Sequence, residues 1–207
     1  MPTSPDSYAA LYLREVGEIV RSVDPEAVDE LASALADVRR RQGRLFILGV
    51  GGGAAHASHA VNDFRKLCDF EAYAPTDNIA EITARANDEG WETTFDAWLR
   101  TSRLSSRDAI LVFSVGGGSR THDVSVNLVR AIELAQEVGA RVFGVVGRAD
   151  GATAEAAHAC IVVEAPPERR TPHVEEFQAI VWHLLVSHPA LVTASGKWES
   201  VEAADGR

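Results

Sequence analysis

The sequence predicts an α/β protein built on a parallel sheet, and three observations carry that prediction. Short runs of Val, Ile, Leu and Phe, without polar alternation, recur at residues 44–49, 109–114 and 141–146. Strands of this kind are buried on both faces, as in a sheet covered by helices. Segments of helical period separate them, and parallel neighbours require such crossovers. Two of the runs also end in glycine-rich turns, Gly49-Val50-Gly51-Gly52-Gly53 and Ser114-Val115-Gly116-Gly117-Gly118-Ser119.

The elements follow in order. Residues 7–21 and 25–41 read as amphipathic helices; Asp24-Pro25 places a cap before a proline at the first helical position, and Gly43 closes the second helix. A strand at 44–49 leads into a helix at 54–68. A weaker strand near 70–74 precedes helical stretches at 78–86 and 91–102. The rest reads as strand 109–114, helix 119–138, strand 141–146, short helix 152–157, strand 159–164 and a long helix 173–195. Residues 196–207 read as a polar, acidic tail. With no internal repeat, the expectation is one domain over 1–207, with N-terminal helices at about 7–41 and an α/β core at about 44–195.

Twenty Lys plus Arg against thirty Asp plus Glu give a formal charge of −10. That field repels nucleic acid and anionic membrane surfaces, so neither is an expected partner, and an anionic ligand must be held locally. Arg39-Arg40-Arg41 reads as a helix C-terminus where cations offset the dipole. No apolar stretch is long enough to cross a bilayer. Met1-Pro2-Thr3-Ser4-Pro5-Asp6 lacks the basic and apolar regions of a leader. Cys68 and Cys160 have neither metal-motif spacing nor disulfide density. A cytoplasmic protein is expected.

A strand that breaks at glycines and re-enters as a helix aims free backbone N–H groups at one point, where the helix dipole favours negative charge. Two such turns, at Gly51, Gly52, Gly53 and at Gly116, Gly117, Gly118, point to an anionic small molecule, most simply a phosphate ester. Ser114 and Ser119 would add hydroxyl donors to the second. A dinucleotide reading competes, because Gly49 to Ala54 fits a loose GxGxxA. The ribose-binding acid of that scheme is missing, however: Asp69 and Glu71 precede or open the weak strand, which ends Ala74-Pro75-Thr76-Asp77.

His59 and Asp63, four apart after the first turn, share one helix face, where they could share a proton, bind one metal ion or form a plain surface pair. The last helix carries Glu175, Glu176, Gln178 and His183. Glu175 and His183 lie about 12 Å apart along the axis, so serving one ion from both would need long side chains, a bent helix or different subunits. An acidic helix start and a satisfied core histidine are the plain alternatives. Asn87-Asp88 either caps the next helix or reaches the cleft. Of the other histidines, His158, His173 and His188 read as surface or turn residues, whereas His56 and His122 flank the glycine turns.

Together these features resemble the sugar isomerase (SIS) domain family, and within it the phosphoheptose isomerases, over roughly residues 8–195. The family pattern is Gly-Asn-Gly-Gly-Ser, a helical His-x-x-x-Glu, an Asn-Asp pair, Ser-Thr-Ser-Gly-Asn-Ser, and a last helix with Gln and His eight apart. The resemblance implies a flavodoxin-like, doubly wound, five-stranded parallel sheet with N-terminal helices. It also implies an aldose–ketose isomerase of a sugar phosphate, a homotetramer with shared active sites, and a divalent metal, zinc above all. His59 falls on the helix histidine, Asp63 on the catalytic Glu, Asn87-Asp88 on the Asn-Asp pair, Ser114 and Ser119 on the outer serines, Glu175 on the Gln and His183 on the last histidine.

By that correspondence His59, Asp63, Glu175 and His183 are the metal ligands; Asp63 is the base, with Glu175 or a metal-bound water as the alternatives if Asp63 is a ligand, and His183 is the acid or shuttle. The chain departs from the pattern at Val50, Gly53, Val115, Gly116 and Gly118, leaving phosphate to rest more on backbone N–H groups than on hydroxyls. Asp63 is also one methylene shorter than Glu. The resemblance equally admits a non-catalytic SIS protein that senses a sugar phosphate or docks a protein partner.

Overall fold

The computed structural model describes residues 7–204. The first six residues, read above for a leader, and the last three of the expected tail lie outside the described residues. Five parallel strands form one sheet: β1 Leu45–Gly49, β2 Ala72–Tyr73, β3 Ala109–Ser114, β4 Arg141–Val146 and β5 Ala159–Val162, in the order β2-β1-β3-β4-β5. This is the flavodoxin-like order, in which the chain moves out from β1 in both directions. Registers such as Leu45 opposite both Ala72 and Ala109 align the strand starts. The glycine turns after β1 and β3 therefore emerge side by side at the carboxyl edge.

Helices cover both faces. On one lie α1 Tyr8–Ser22, α2 Pro25–Arg40, α3 Gly52–Cys68 and α8 Arg170–Ser187, which contribute Leu31, Leu35, Phe64, Phe177 and Trp182 to a core with Leu45, Ile47 and Phe113. On the other lie α4 Ile79–Asp88, α5 Thr94–Thr101 and α6 Val126–Val138, against Phe46, Leu48, Ile110 and Val112. The short α7 Ala152–Ala156 packs beside them. Successive residues of each central strand serve opposite faces, which is why the runs show no polar alternation.

Several boundaries differ from the sequence reading, each for a local reason. Asp24 caps α2 as expected, accepting from the Glu26 N–H at 2.9 Å. Beyond α2, however, Gln42 rather than Gly43 takes the left-handed conformation, with φ 56°. Gly43 is there because a Cβ would stand 1.9 Å from the Arg107 carbonyl oxygen. Arg39 does more than offset a dipole, since its guanidinium donates to the carbonyls of Cys68 and Leu191.

The helix expected at 119–138 begins only at Val126. Residues 119–124 close instead into a small antiparallel turn, Ser119 N–H to Val124 O at 2.8 Å and the reverse at 2.9 Å, with Asp123 and Ser125 left-handed. The last long helix starts earlier, at Arg170, because a first turn tolerates Pro172. It stops at Ser187 because His188 precedes Pro189 and is extended, with φ −67° and ψ 136°. Residues Lys197–Ala204, expected within the tail, form the helix α9.

Candidate functional site

Helices α3 and α8 run alongside one another, and their seam carries polar groups in successive layers. At the top, α3 opens at Gly51, whose φ of 61° suits glycine. A methyl group on Gly52 would stand 2.6 Å from the Glu175 carboxyl carbon, so that carboxylate lies directly over the first turn of α3. Its negative charge suits the positive end of the helix dipole. One turn below, His56 Nδ1 and Gln178 Oε1 are 3.0 Å apart, and Gln178 is fully buried with its Nε2 unpartnered.

Below these, His59, Asp63, Trp182 and His183 converge. Asp63 is 8% exposed and accepts the Trp182 indole N–H on Oδ2 at 3.1 Å and the Asn62 amide on Oδ1 at 3.0 Å. The Nε2 atoms of His59 and His183 lie 3.5 Å and 3.7 Å from the same Oδ2. His183 Nδ1 stands 2.7 Å from the Ala179 carbonyl, so it donates there as N–H. In the neutral ring, Nε2 then keeps its lone pair facing Asp63. The Trp182 ring packs beside both imidazoles, with centroids 5.3 Å from His59 and 4.7 Å from His183. Both histidines are open to solvent and Asp63 is not, so the cluster is a shallow surface site with a buried anionic floor.

The donor set of this cluster fits a divalent ion. One nitrogen from each imidazole and one carboxylate oxygen lie within 4.8 Å of one another. Three protein ligands with an open side is the usual composition of a catalytic zinc site, and a backbone carbonyl orienting the His183 ring is its usual support. Glu175 stands apart from this group. The 12 Å that separate it from His183 along α8 carry its carboxylate to Gly52 instead.

The second glycine turn builds a separate feature. Ser114 Oγ accepts the Gly117 N–H at 3.0 Å, and the carbonyls of Val115, Gly117 and Gly118 are taken by the 147–153 segment after β4. Gly116, Gly118 and Ser119 line a cleft of about 500 Å³ at the carboxyl edge, whereas Ser114 and Gly117 are not among its lining residues. Asn87 and Asp88 are exposed at the end of α4, bonded to each other at 2.7 Å. Their helix packs on the opposite sheet face from the α3–α8 cluster, so one chain does not bring them together.

Three relationships escaped the sequence reading. Trp182 was legible in principle, because a buried indole N–H and a buried carboxylate on facing helices must each find a partner. His56 with Gln178 is a second such pair. His173, read as a surface or turn residue, is fully buried: its Nε2 meets Glu15 Oε2 at 3.0 Å, Arg169 Nε bonds the same carboxylate at 2.7 Å, and Tyr12 packs on the ring at 4.3 Å. The Arg169 guanidinium, then His173, hold the Glu15 carboxyl down at about 2. The Tyr12 hydroxyl donates to Glu176, which pushes the phenol up to about 12.

A flavodoxin-like sheet with glycine turns at its carboxyl edge and a His/Asp/His cluster on a helix seam defines a class of α/β small-molecule proteins. The SIS domain profile matches residues 11–147, and the chain belongs to that family. Within the family it is phosphoheptose isomerase-like. It is 29% identical over 198 residues to a phosphoheptose isomerase of Syntrophotalea carbinolica, covering 91% of this chain and 96% of that one. It is 31% identical over 197 residues to the lincomycin biosynthesis protein LmbN of Streptomyces lincolnensis, covering 89% of this chain and 70% of that one. The solved structure of phosphoheptose isomerase GmhA from Neisseria gonorrhoeae superposes with a TM-score of 0.73 at 23% identity, covering 86% of this chain and 93% of that one. That likeness is one of fold.

Proposed function

We propose that this protein is an aldose–ketose isomerase of a sugar phosphate, with sedoheptulose 7-phosphate and D-glycero-D-manno-heptose 7-phosphate as the pair interconverted. The observation that carries the reading is the convergence of His59 and His183 on one carboxylate oxygen of Asp63 at the α3–α8 seam. The named relatives support the reaction class, phosphoheptose isomerases among them.

The reaction removes a proton from C1 of the ketose, passes through an enediolate and returns a proton to C2, while the hydroxyl proton moves from O1 to O2. It requires a base, an acid and a means to hold the developing negative charge. Asp63 serves as the base: it is buried, and Trp182 and Asn62 fix its two oxygens. His183, its Nδ1–H anchored on Ala179, carries the proton between the oxygens through Nε2. His59, Asp63 and His183 would hold a divalent ion such as zinc, which when bound supplies charge to polarise the carbonyl. With Asp63 engaged as a ligand, Glu175 is the alternative base, standing over the first glycine turn. The turn at 114–119 receives the phosphate, the turn at 51–53 lines the sugar, and Asn87 and Asp88 complete the site from another subunit.

Exposed apolar residues support that arrangement. Ile180 and Leu184, on the open side of α8 beside His183, are 45% and 41% exposed, and Tyr8, Leu13 and Val20 of α1 are more so. An apolar face next to an open polar cluster suits a second copy of the chain, and we propose a homotetramer with shared sites. Among the described residues no helix is long and apolar enough to cross a membrane; the cytoplasm is the compartment we propose for the enzyme.

The test is NMR of sedoheptulose 7-phosphate in D2O with the purified protein and zinc. Appearance of the aldose with solvent deuterium at C2 is expected. Absence of both aldose and exchange for this and other sugar phosphates would overturn the isomerase reading.

A further inference from the structure

β4 ends at Val146, and the chain continues through Gly147 into Arg148 beyond the carboxyl edge of the sheet. Arg148 lines the cleft of about 500 Å³ together with Gly116, Ser119 and His122, and its loop is bonded to the second glycine turn, Gly147 N–H to Val115 O at 2.9 Å. Its guanidinium is held by Asp150, two residues on, through Nε at 2.8 Å and Nη2 at 2.6 Å. The two side chains are 45% and 67% exposed, and an exposed pair of this kind adds little stability and opens at little cost. A guanidinium fork on two carboxylate oxygens has the geometry it would adopt on two phosphate oxygens.

The surroundings favour an anion there. Arg170, at the start of α8, lines a neighbouring cleft together with Arg148, Asp150 and Glu164, and its Nε is buried without a hydrogen-bond partner. Two guanidinium groups thus border the 147–151 loop. On the same cleft, Ser119 Oγ and His122 Nδ1 are 2.9 Å apart, within the turn closed by the bridge between Ser119 and Val124. The glycine turn itself is poor in hydroxyls, with Val115, Gly116, Gly117 and Gly118 between its two serines. It offers shape and backbone but no cation.

We propose that Arg148 is the residue that gives this protein its preference for phosphorylated ligands, exchanging the Asp150 carboxylate for the ligand phosphate in the cleft against the second glycine turn. This rests on the sugar-phosphate reading above and assigns the charge that the turn lacks to the loop after β4. Asp150 is then an internal stand-in that keeps the guanidinium aimed while the cleft is open, and it lowers affinity by competing. Ser119 and His122, which line the same cleft, contribute hydrogen bonds.

The experiment is calorimetric titration of the full chain with sedoheptulose 7-phosphate, inorganic phosphate and unphosphorylated sedoheptulose, paired with turnover. Arg148→Met should weaken both phosphate ligands about tenfold or more, with an unchanged melting temperature and unchanged binding of the unphosphorylated sugar. Asp150→Asn should tighten both phosphate ligands, and Arg148→Lys, a point charge without the fork, should fall between wild type and Arg148→Met. In turnover the Arg148→Met defect should fall more on KM than on kcat. Wild-type affinity in Arg148→Met, or no phosphate binding by the wild type, overturns the proposal. Phosphate binding that depends on Arg148 without any isomerisation leaves it standing and overturns the isomerase reading instead.

Discussion

The indole Nε1 of Trp182 donates to Oδ2 of Asp63 at 3.1 Å, the same oxygen that His59 and His183 approach. A carboxylate that is 8% exposed needs such a partner, and the indole supplies it from the residue next to His183. Trp182→Phe keeps the ring and removes the donor. Leaving a buried acceptor short of a partner costs about 1–3 kcal/mol, so chemical denaturation should show a loss in that range. Isomerisation should slow with little change in KM, because the base loses its orientation and the cleft is untouched.

Metal binding is checked without reference to activity. Zinc added to chelator-stripped protein should raise the melting temperature, since a ligand that binds the native state stabilises it by mass action. His59→Ala and His183→Ala should abolish that rise, and Glu175→Ala should reduce it little, because Glu175 lies at Gly52 rather than in the cluster. Equal loss in Glu175→Ala would place it among the ligands.

The first glycine turn permits a paired substitution. A methyl on Gly53 would stand 2.5 Å from the Phe113 carbonyl oxygen, part of the β3 backbone. A methyl on Gly52 meets only the end of the Glu175 side chain, which can swing away. Gly53→Ala should therefore cost about 1–3 kcal/mol in a denaturant titration, with Gly52→Ala costing clearly less.

Stability should also depend on acid through Glu15. Its folded pKa of about 2 lies below the ordinary 4.5, so the folded state holds the proton less tightly than the unfolded chain. The resulting stabilisation is complete above about 4.5 and is lost as pH falls from there to about 2. Denaturation midpoints measured across that window should fall more steeply for wild type than for Glu15→Gln, which should be less stable at neutral pH.

Much of the fold was legible because its signals are local. Central strands buried on both faces cannot alternate, and Leu45 to Leu48 and Ile110 to Phe113 do not. The Asp24-Pro25 cap and the glycine break after β1 act within a few residues. The start of α6 was not legible, because Ser119 to Val124 carries no strong helix breaker; the bridge that delays the helix lies between residues five apart. Pro189 ends α8 at Ser187, a local signal that the expected helix at 173–195 ran through.

In the candidate site, the spacing of His59 and Asp63 was visible within one helix, whereas the approach of His183 depends on how α3 and α8 pack. Arg148 was invisible for the same reason, since nothing in its neighbourhood says that it lines one cleft with a glycine turn about thirty residues earlier.

The central claim is that Asp63, framed by Trp182, His59 and His183, is where the chemistry occurs. The most direct measurement is kcat for sedoheptulose 7-phosphate in wild type and Asp63→Asn, each loaded with zinc and shown to be folded by its melting curve. The account predicts aldose formation by the wild type and a loss of about 100-fold or more in Asp63→Asn, the scale expected for a positioned general base. Wild-type turnover in Asp63→Asn would contradict it.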